Sequence, residues 1–373
     1  MKKLLKKLIQ AESTADKGEL AVAEIISDEL IRFGIESRID NWDGNRANIT
    51  AHIKSSGHKG TLLFACHLDV VPAGDVNWSK PAFEAVESAG RIYGRGSTDM
   101  KGAIAAIVTA IGEIVDTGTK LQGDIILFGA AGEETDSCGT RRFVRDAGRL
   151  PKLAGAVITE PTDFQIITAH RGILWLKVET FGKAAHSSTP HLGVNAITSM
   201  RAVLNELENF KIPFERHELL GECSMSINTI TGGEAINVVP DKCKIEIDIR
   251  TVPGQNEQDI MDDLKKIFAK LKQKNPQFDA AVSIIREVGA LETDSKCDFV
   301  RDFCSAVGIN ETTAVGFTTD GPYFASLGVP VVIFGPGNPH LAHQPDEFIN
   351  ISDVEKGIEY YKNIIYRVNQ CKK

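Results

Sequence analysis

The chain has 373 residues, of which 42% are apolar and 25% are charged, and its formal net charge at pH 7 is −8. This is the composition of an ordinary globular protein, and the length is sufficient for two domains with a sizeable core. The negative charge gives no electrostatic reason to bind nucleic acid or an anionic membrane surface, so neither partner is predicted.

The cysteines and the N-terminus predict the compartment. Seven cysteines, an odd number without CxxC spacing, favour reduced thiols over a disulfide framework. The basic N-terminus lacks an apolar run as long as that of a signal peptide, and we expect no transmembrane span. Leu4, Leu5, Leu8 and Ile9 instead fall on one face of a predicted amphipathic helix. A cytoplasmic location is therefore predicted.

Short apolar runs rich in Val and Ile predict the buried strands of a parallel sheet. They lie at residues 61–66, 124–131, 155–159 and 329–334. An alanine-rich apolar stretch at 102–115, between the first two runs, predicts a buried helix. This alternation is typical of the α/β class, with an open, mostly parallel sheet and helices on both of its faces.

The middle of the chain has a different pattern, in which every second residue is apolar. The alternating segments lie at residues 173–181, 223–230 and 242–250. They predict antiparallel strands with one exposed face, accompanied by two helices, the second behind a cap at Asn256. We therefore predict a small α+β domain over residues 173–287, inserted into a larger domain formed by 1–172 and 288–373.

Histidines and carboxylates lie just beyond the ends of the four predicted strands. They are His67, the pair Glu133 and Glu134, Glu160 and His343, and Asp99 lies in a further glycine-rich segment. In open α/β sheets, ligands bind at the carboxyl ends of the strands. Imidazole mixed with carboxylate oxygens suits one or two divalent first-row metals, zinc above all. A spare glutamate beside a ligand glutamate could activate water, so the pattern predicts a metallohydrolase.

Each of these residues also has an ordinary interpretation when it is taken alone. His67 could be a core histidine, Asp99 a helix-capping residue in a surface turn, and 133–134 an acidic pair on a solvated loop. In a strand, residues two apart share a face, so Asp69 could hold the second ring nitrogen of a metal-bound His67. The metal hypothesis therefore depends on the conjunction of the residues.

Three segments give the chain a resemblance to a known family. HLDVVP at 67–72, GRGSTDMKG at 94–102 and GEE at 132–134 resemble the M20 metallopeptidases, especially the acetylornithine deacetylase and succinyl-diaminopimelate desuccinylase branch. The resemblance covers essentially the whole chain. It implies that residues 1–172 and 288–373 form the catalytic domain and that residues 173–287 form a lid or dimerisation domain.

The resemblance implies a site of two divalent metal ions, zinc or alternatively cobalt or manganese. By position, His67 and Glu160 would hold one ion, Glu134 and His343 the other, and Asp99 would bridge both. It further implies that Glu133 is the general base, that Asp69 orients His67, and that a cis peptide bond follows Asp99. Amide hydrolysis would then proceed directly, without a covalent intermediate.

The resemblance also implies a small-molecule N-acyl amino acid substrate and a homodimer formed through the lid. His186 matches a family histidine that reaches from one subunit into the partner's active site. Arg250 and Asn237 match lid residues that contact the carboxylate side of the substrate. Arg171 is a further candidate contact, and Asn338 ends a segment that lines the pocket.

The motifs do not separate the members of the branch completely. Glu160, rather than an aspartate, resembles the deacylase and carboxypeptidase-like members, and HQPDEF at 343–348 resembles acetylornithine deacetylase. TTDG at 318–321 is similar to a desuccinylase segment but lacks the arginine that commonly follows it. N-acetyl-L-ornithine is the leading expected substrate, and arginine or lysine biosynthesis the expected pathway.

Three alternatives remain open: a desuccinylase, an aminoacylase or carboxypeptidase of similar design, and a non-catalytic metal-bound scaffold. Retention of Glu133 together with all the expected ligands argues against the scaffold.

Overall fold

The computed structural model describes residues 1–146, 148 and 150–369, so Cys371 lies outside the described residues. The described chain divides into two compact units. Unit 1 comprises Met1–Thr168, Glu292–Ala314 and the described residues from Thr319 onward, and unit 2 comprises Ala169–Leu291 and Val315–Thr318. The function of a lid or dimerisation domain for residues 173–287 stays a prediction.

Helices and strands follow one another along the whole described chain. The helices are α1 (Lys2–Gln10), α2 (Leu20–Arg32), α3 (Gly102–Asp116), α4 (Cys138–Arg145), α5 (Ala196–Glu208), α6 (Glu257–Lys274), α7 (Asp298–Val307), α8 (Gly321–Ala325) and α9 (Ile351–Asn369). The strands up to residue 181 are β1 (Ser37–Trp42), β2 (Arg46–Ile53), β3 (Lys59–His67), β4 (Val86–Ser88), β5 (Arg91–Tyr93), β6 (Gly123–Ala130), β7 (Leu153–Ile158), β8 (Ile166–His170) and β9 (Gly172–Phe181). The later strands are β10 (Ala185–His186), β11 (Ser224–Gly232), β12 (Val238–Val239), β13 (Lys242–Thr251), β14 (Asp279–Val288), β15 (Leu291–Glu292), β16 (Thr312–Val315), β17 (Val331–Ile333) and β18 (Phe348–Asn350).

The main sheet of unit 1 runs in the order β1-β2-β6-β3-β7-β17-β8. Strands β6, β3, β7 and β17 pair in parallel, whereas β1, β2 and β8 pair antiparallel with their neighbours. The central strands are buried along almost their whole length, as continuous apolar runs in a covered sheet should be. The predicted α/β class with a mostly parallel sheet is therefore confirmed.

The helices of unit 1 complete its core. The predicted buried helix is α3, which is apolar along almost all of its length and packs against α9. Helix α1 buries Leu4, Leu5, Leu8 and Ile9, the four residues that the sequence placed on one face. No helix among the described residues is both long and apolar enough to cross a membrane.

Unit 2 contains an antiparallel sheet in the order β11-β13-β9-β14. Burial alternates along β9 and β13, and their apolar face packs with α5 and α6 into a separate core. The Asn256 side chain caps α6 by accepting a hydrogen bond from the Gln258 amide, as predicted. The alternating segments are therefore antiparallel strands, and β14 is a further strand that the sequence pattern did not reveal.

The parallel strands bring their carboxyl ends to one edge of the main sheet. Strand β3 ends at His67, β6 ends just before the loop with Glu133, and β7 ends just before Glu160. His343 does not follow its strand directly, because the short helix Pro339–Leu341 lies between His343 and Ile333, the last residue of β17. Loops from separate parts of the chain therefore supply the polar residues at this edge.

Candidate metal centre

Three predicted ligands of unit 1 lie close enough together to share a metal ion. One nitrogen or oxygen atom from each of His67, Asp99 and Glu134 lies within 4.8 Å of the others. His67 is the last residue of β3, Asp99 belongs to the turn Ser97–Lys101, and Glu134 follows β6. The structure thus brings together side chains from a strand end and two turns that are separate in the chain.

The carboxylate of Asp99 lies between two imidazoles. Its Oδ1 is 3.0 Å from Nε2 of His67, and its Oδ2 is 3.3 Å from Nε2 of His343. The peptide bond between Asp99 and Met100 is cis, as the resemblance implies. Because each oxygen faces a different histidine, this carboxylate has the arrangement that a ligand bridging two ions requires.

Each imidazole also faces a second carboxylate. Nε2 of His343 is 2.9 Å from Oε1 of Glu134, and Nε2 of His67 is 3.7 Å from Oε2 of Glu160. The five predicted ligands therefore form two groups, which share Asp99.

The environment of His67 selects the ring nitrogen that can bind a metal. Its Nδ1 lies 3.0 Å from the main-chain oxygen of Asp69, whereas the carboxylate Oδ1 of Asp69 is 3.7 Å away. A carbonyl oxygen only accepts hydrogen bonds, so Nδ1 carries a proton, and in the neutral ring Nε2 is the nitrogen whose lone pair can bind a metal. Asp69 thus orients the ring mainly through its main chain, a mode that the sequence did not predict.

The carboxylate of Asp69 instead holds the loop that follows β6. Its Oδ1 accepts a hydrogen bond from the amide of Glu133 at 3.1 Å, and its Oδ2 accepts one from the amide of Glu134 at 3.0 Å. Gly132 precedes them with φ +75°, and a Cβ there would lie 2.3 Å from a guanidinium nitrogen of Arg46. The loop therefore needs glycine at this position.

The close packing of acidic groups and imidazoles shifts their proton affinities. Burial disfavours the charged form of Asp99, but hydrogen bonds from His343 and His67 outweigh it and hold the pKa of this carboxyl well below its usual range. Hydrogen bonds to Asp99 and Glu134 raise the pKa of His343 to about 10. Burial raises the pKa of Glu160 to about 7, although the neighbouring His67 opposes this change.

Glu133 lies among further acidic groups. Burial, and secondly the charge of Asp320, raise the pKa of the Glu133 carboxyl well above its usual value. Asp320 is itself buried, accepts a hydrogen bond from Thr140 and has its pKa raised by burial. A carboxyl group with a raised pKa is a stronger base, which suits a residue that must take a proton from water.

The donor set fits divalent metal ions. Without a cation, protonated imidazoles balance the carboxylates, and a divalent ion competes with those protons for the same atoms. Imidazole nitrogen and carboxylate oxygen are ligands that zinc accepts readily. The thiol of Cys66 is no competitor, because burial raises its pKa to about 12 and its sulfur contacts the main-chain oxygen of Phe128.

Two other predicted residues, His186 and Asn237, lie side by side in unit 2. Strand β10, which contains His186, pairs with β12, and the amide of Ser187 donates to the oxygen of Asn237. Nδ1 of His186 accepts a hydrogen bond from the amide of Ser188 at 3.1 Å. The neutral ring therefore carries its proton on Nε2, which makes that nitrogen a donor.

The remaining predicted substrate contacts have partners within their own units. The guanidinium of Arg250 donates two hydrogen bonds to Asp248, and Arg171 donates one to the main-chain oxygen of Leu220. In unit 1, the Asn338 side chain accepts a hydrogen bond from the amide of His340 and so caps the short helix before His343.

Sequence reasoning missed three buried charged residues near the ligands, namely Arg95, Asp320 and Glu347. All three lie inside segments that the sequence singled out, at 94–102, 318–321 and 343–348. The available signal was the presence of a charged residue within a segment that resembles the family. Their hydrogen-bond partners are remote in the chain, so the pattern did not identify them.

Comparison with known proteins identifies the family. The model of the peptidase family M20/M25/M40 matches residues 63–367. A probable succinyl-diaminopimelate desuccinylase of Staphylococcus epidermidis is 31% identical, over 97% of this chain and 96% of the relative. An acetylornithine deacetylase of Proteus mirabilis is 29% identical, over 95% of this chain and 91% of that protein.

A solved structure shows the same fold. The M20 family metallo-carboxypeptidase Sso-CP2 from Sulfolobus solfataricus superposes with a TM-score of 0.81 at 19% identity, and the match covers 98% of both chains. The family match, the whole-length relatives and the cluster of carboxylates and imidazoles agree with one another. The chain therefore belongs to the M20/M25/M40 peptidase family and is a metal-dependent hydrolase of amide bonds.

Proposed function

We propose that the chain removes the acyl group from an N-acylated diamino acid, with N-acetyl-L-ornithine as the leading substrate. The observation that carries the proposal is Glu133, a partly buried carboxyl group adjacent to the metal-ligand candidate Glu134. N-succinyl-L,L-diaminopimelate is the second candidate, favoured by the name of the relative from Staphylococcus epidermidis. Both molecules carry a second amino group and a free carboxylate beside the amide, so one site design could serve either.

The proposed cofactor is a pair of divalent metal ions, zinc in the first instance and cobalt or manganese as alternatives. His67 and Glu160 would hold one ion, His343 and Glu134 the other, and Asp99 both. The two oxygens of Asp99, each facing a different imidazole, support this assignment. When bound, such a pair makes a water molecule more acidic and polarises the acyl carbonyl.

The residues of the chain perform the proton transfers in the proposed mechanism. Glu133 accepts a proton from water as the oxygen attacks the acyl carbon, which forms a new C–O bond. Glu133 then returns that proton to the nitrogen as the C–N bond breaks, and the amine leaves. The carboxylate of Asp69 accepts a hydrogen bond from the main-chain amide of Glu133 and so keeps Glu133 in place. The products are a carboxylate and a free amino acid.

We assign His186 to the stabilisation of the negative charge that develops on the acyl oxygen. Its Nε2 carries the proton, as the hydrogen bond from the Ser188 amide to Nδ1 requires, so it can donate to an oxyanion. Arg250, Asn237 and Arg171 are the proposed contacts for the polar groups of the substrate. Arg250 would exchange its pairing with Asp248 for a substrate carboxylate, and Asn338 would line the pocket.

We further propose a homodimer formed through unit 2. Strand β11 is at the edge of its sheet and is exposed along most of its length, with Ile227 and Ile230 in contact with solvent. Ile236 is fully exposed, and Val238 is partly so. An exposed apolar edge strand is a site where another chain readily pairs.

The free thiols of the described cysteines support the proposed reducing, cytoplasmic compartment.

The direct test is hydrolysis of both candidate amides by the purified protein. We expect the zinc- or cobalt-loaded protein to cleave N-acetyl-L-ornithine, and a chelator to abolish the activity. The free amino acid that is released is separated from the uncleaved substrate by chromatography and quantified. Cleavage of the succinyl substrate alone would transfer the assignment to the second candidate, and cleavage of neither by the loaded protein would contradict the proposal.

Replacement of the base tests the role of Glu133. Glu133→Gln keeps the size of the side chain but cannot accept the proton, so kcat should fall by about 10²–10⁴-fold. Metal content and mass in solution should not change. Glu113→Gln, at a surface glutamate paired with Lys362, is the matched control and should retain full activity. Ordinary turnover by Glu133→Gln would exclude it as the base.

Mixing of two inactive variants tests the sharing of an active site across the dimer. His186→Ala should lower kcat by about 10²-fold, because one donor to the oxyanion is lost, with metal content unchanged. When it is mixed with Glu133→Gln and allowed to exchange subunits, hybrid dimers would combine an intact base with an intact histidine. Activity should then rise above that of either variant. If exchange is demonstrated and no activity returns, His186 does not act in the partner's site.

A further inference from the structure

The carboxylate of Glu347 is fully buried, and it faces main-chain amides and one arginine. Its Oε1 accepts hydrogen bonds from the amides of Thr98 at 2.8 Å and Asp99 at 3.1 Å. Its Oε2 accepts one from the amide of Gly96 at 3.0 Å and one from Nη1 of Arg95 at 2.6 Å. Four donors therefore face the two oxygens, and three of these donors are main-chain amides of the segment that carries Asp99.

Arg95 connects this carboxylate to two further loops. Its Nη1 also donates to the main-chain oxygen of Gln344 at 3.3 Å, and its Nη2 donates to that of Pro72 at 3.5 Å. The guanidinium lies over the ring of Trp78, 5.1 Å from its centroid. The buried pair Arg95–Glu347 thus links the loop after His67, the turn with Asp99 and the loop with His343.

The backbone at Gly96 makes this arrangement possible. Gly96 has φ +81°, and a Cβ there would lie 2.6 Å from a methyl group of Val70. Only glycine adopts this conformation easily and allows the loop after β3 to approach so closely. The amides of the turn can then converge on one carboxylate.

We propose that Glu347 is a positioning residue, which fixes Asp99 and His343 relative to each other before any metal binds. Glu347 belongs to the same loop as His343, and it holds the amide of Asp99 directly. A buried carboxylate is costly unless donors surround it, so this loop is stable only when the turn with Asp99 is in place. The separation of the two ligands is thereby set by the chain itself.

The proposal rests on the proposed function to the extent that Asp99 and His343 are taken as metal ligands. It goes further, because it assigns the control of the ligand geometry to a carboxylate that binds neither metal nor substrate. Residues that orient metal ligands typically change metal affinity or activity by ~10–100-fold when they are replaced. A residue that only stabilised the fold would lower the melting temperature without altering the metal site of the folded protein.

The test replaces Glu347 with its amide. Glu347→Gln keeps the shape of the side chain but replaces one oxygen, which accepts two hydrogen bonds, with an NH₂ group. That group is itself a donor and would face two donors of the chain. We expect the zinc affinity of the metal-free protein, measured by competition with a chromogenic chelator, to fall by ~10–100-fold. The visible absorption spectrum of the cobalt-loaded protein should change, and kcat should fall with KM altered much less.

A second variant and a control complete the design. Arg95→Lys retains the charge and one bond to Glu347 but loses the bonds to Gln344 and Pro72, so a smaller loss of zinc affinity is expected. Asp40→Asn removes a carboxylate that also accepts two bonds from an arginine, Arg142, outside the proposed ligand set. It should leave the zinc affinity and the cobalt spectrum unchanged.

Wild-type zinc affinity and an unaltered cobalt spectrum in folded Glu347→Gln would overturn the proposal. If Glu347→Gln does not fold, Arg95→Lys decides: an unchanged affinity overturns the proposal, and a fall of about fivefold or more supports it. Both readouts need no substrate. Failure of the proposed function would appear separately, as a wild-type protein that binds metal but cleaves neither candidate amide.

Discussion

Carboxylates held within a few ångströms of one another, away from water, are the constraint on which the rest of this structure depends. Like charges in such a place repel one another, so the carboxylates tend to bind protons. They remain ionised only where hydrogen-bond donors or cations face them. At the carboxyl edge of the main sheet, Asp99 is ionised because two imidazoles flank it, whereas burial raises the pKa of Glu160 and Glu133. A site of this kind favours a divalent cation.

Two further carboxylates satisfy the same constraint with hydrogen-bond donors of the chain. Asp69 accepts hydrogen bonds from the amides of Glu133 and Glu134, and Glu347 accepts them from the turn that includes Asp99. Main-chain amides donate to both carboxylates, Arg95 also donates to Glu347, and each carboxylate thereby fixes a loop that carries a functional side chain. The acidic residues of this edge thus divide into those that face imidazoles and those that hold the backbone in place.

Much of this arrangement was predictable from the sequence because it is local. The apolar runs predicted the central strands, and the residues after them, together with Asp99 in its glycine-rich segment, predicted the cluster of His67, Asp99 and Glu134. The role of the Asp69 carboxylate and of Glu347 was not predictable, because each bonds to amides remote in the chain, and any loop residue can supply an amide. The short capped helix Pro339–Leu341, which lies between His343 and its strand, was likewise not predicted.

The central claim is that Asp99 joins two metal sites, and the stoichiometry of metal binding tests it most directly. Metal-free protein should be titrated with zinc in a calorimeter, beside Asp99→Asn, which keeps the shape but loses the charge. We expect about two equivalents of zinc per wild-type chain, with affinity for both ions weakened in the variant. A single equivalent for the wild type, or an Asp99→Asn titration identical to it, would contradict the claim.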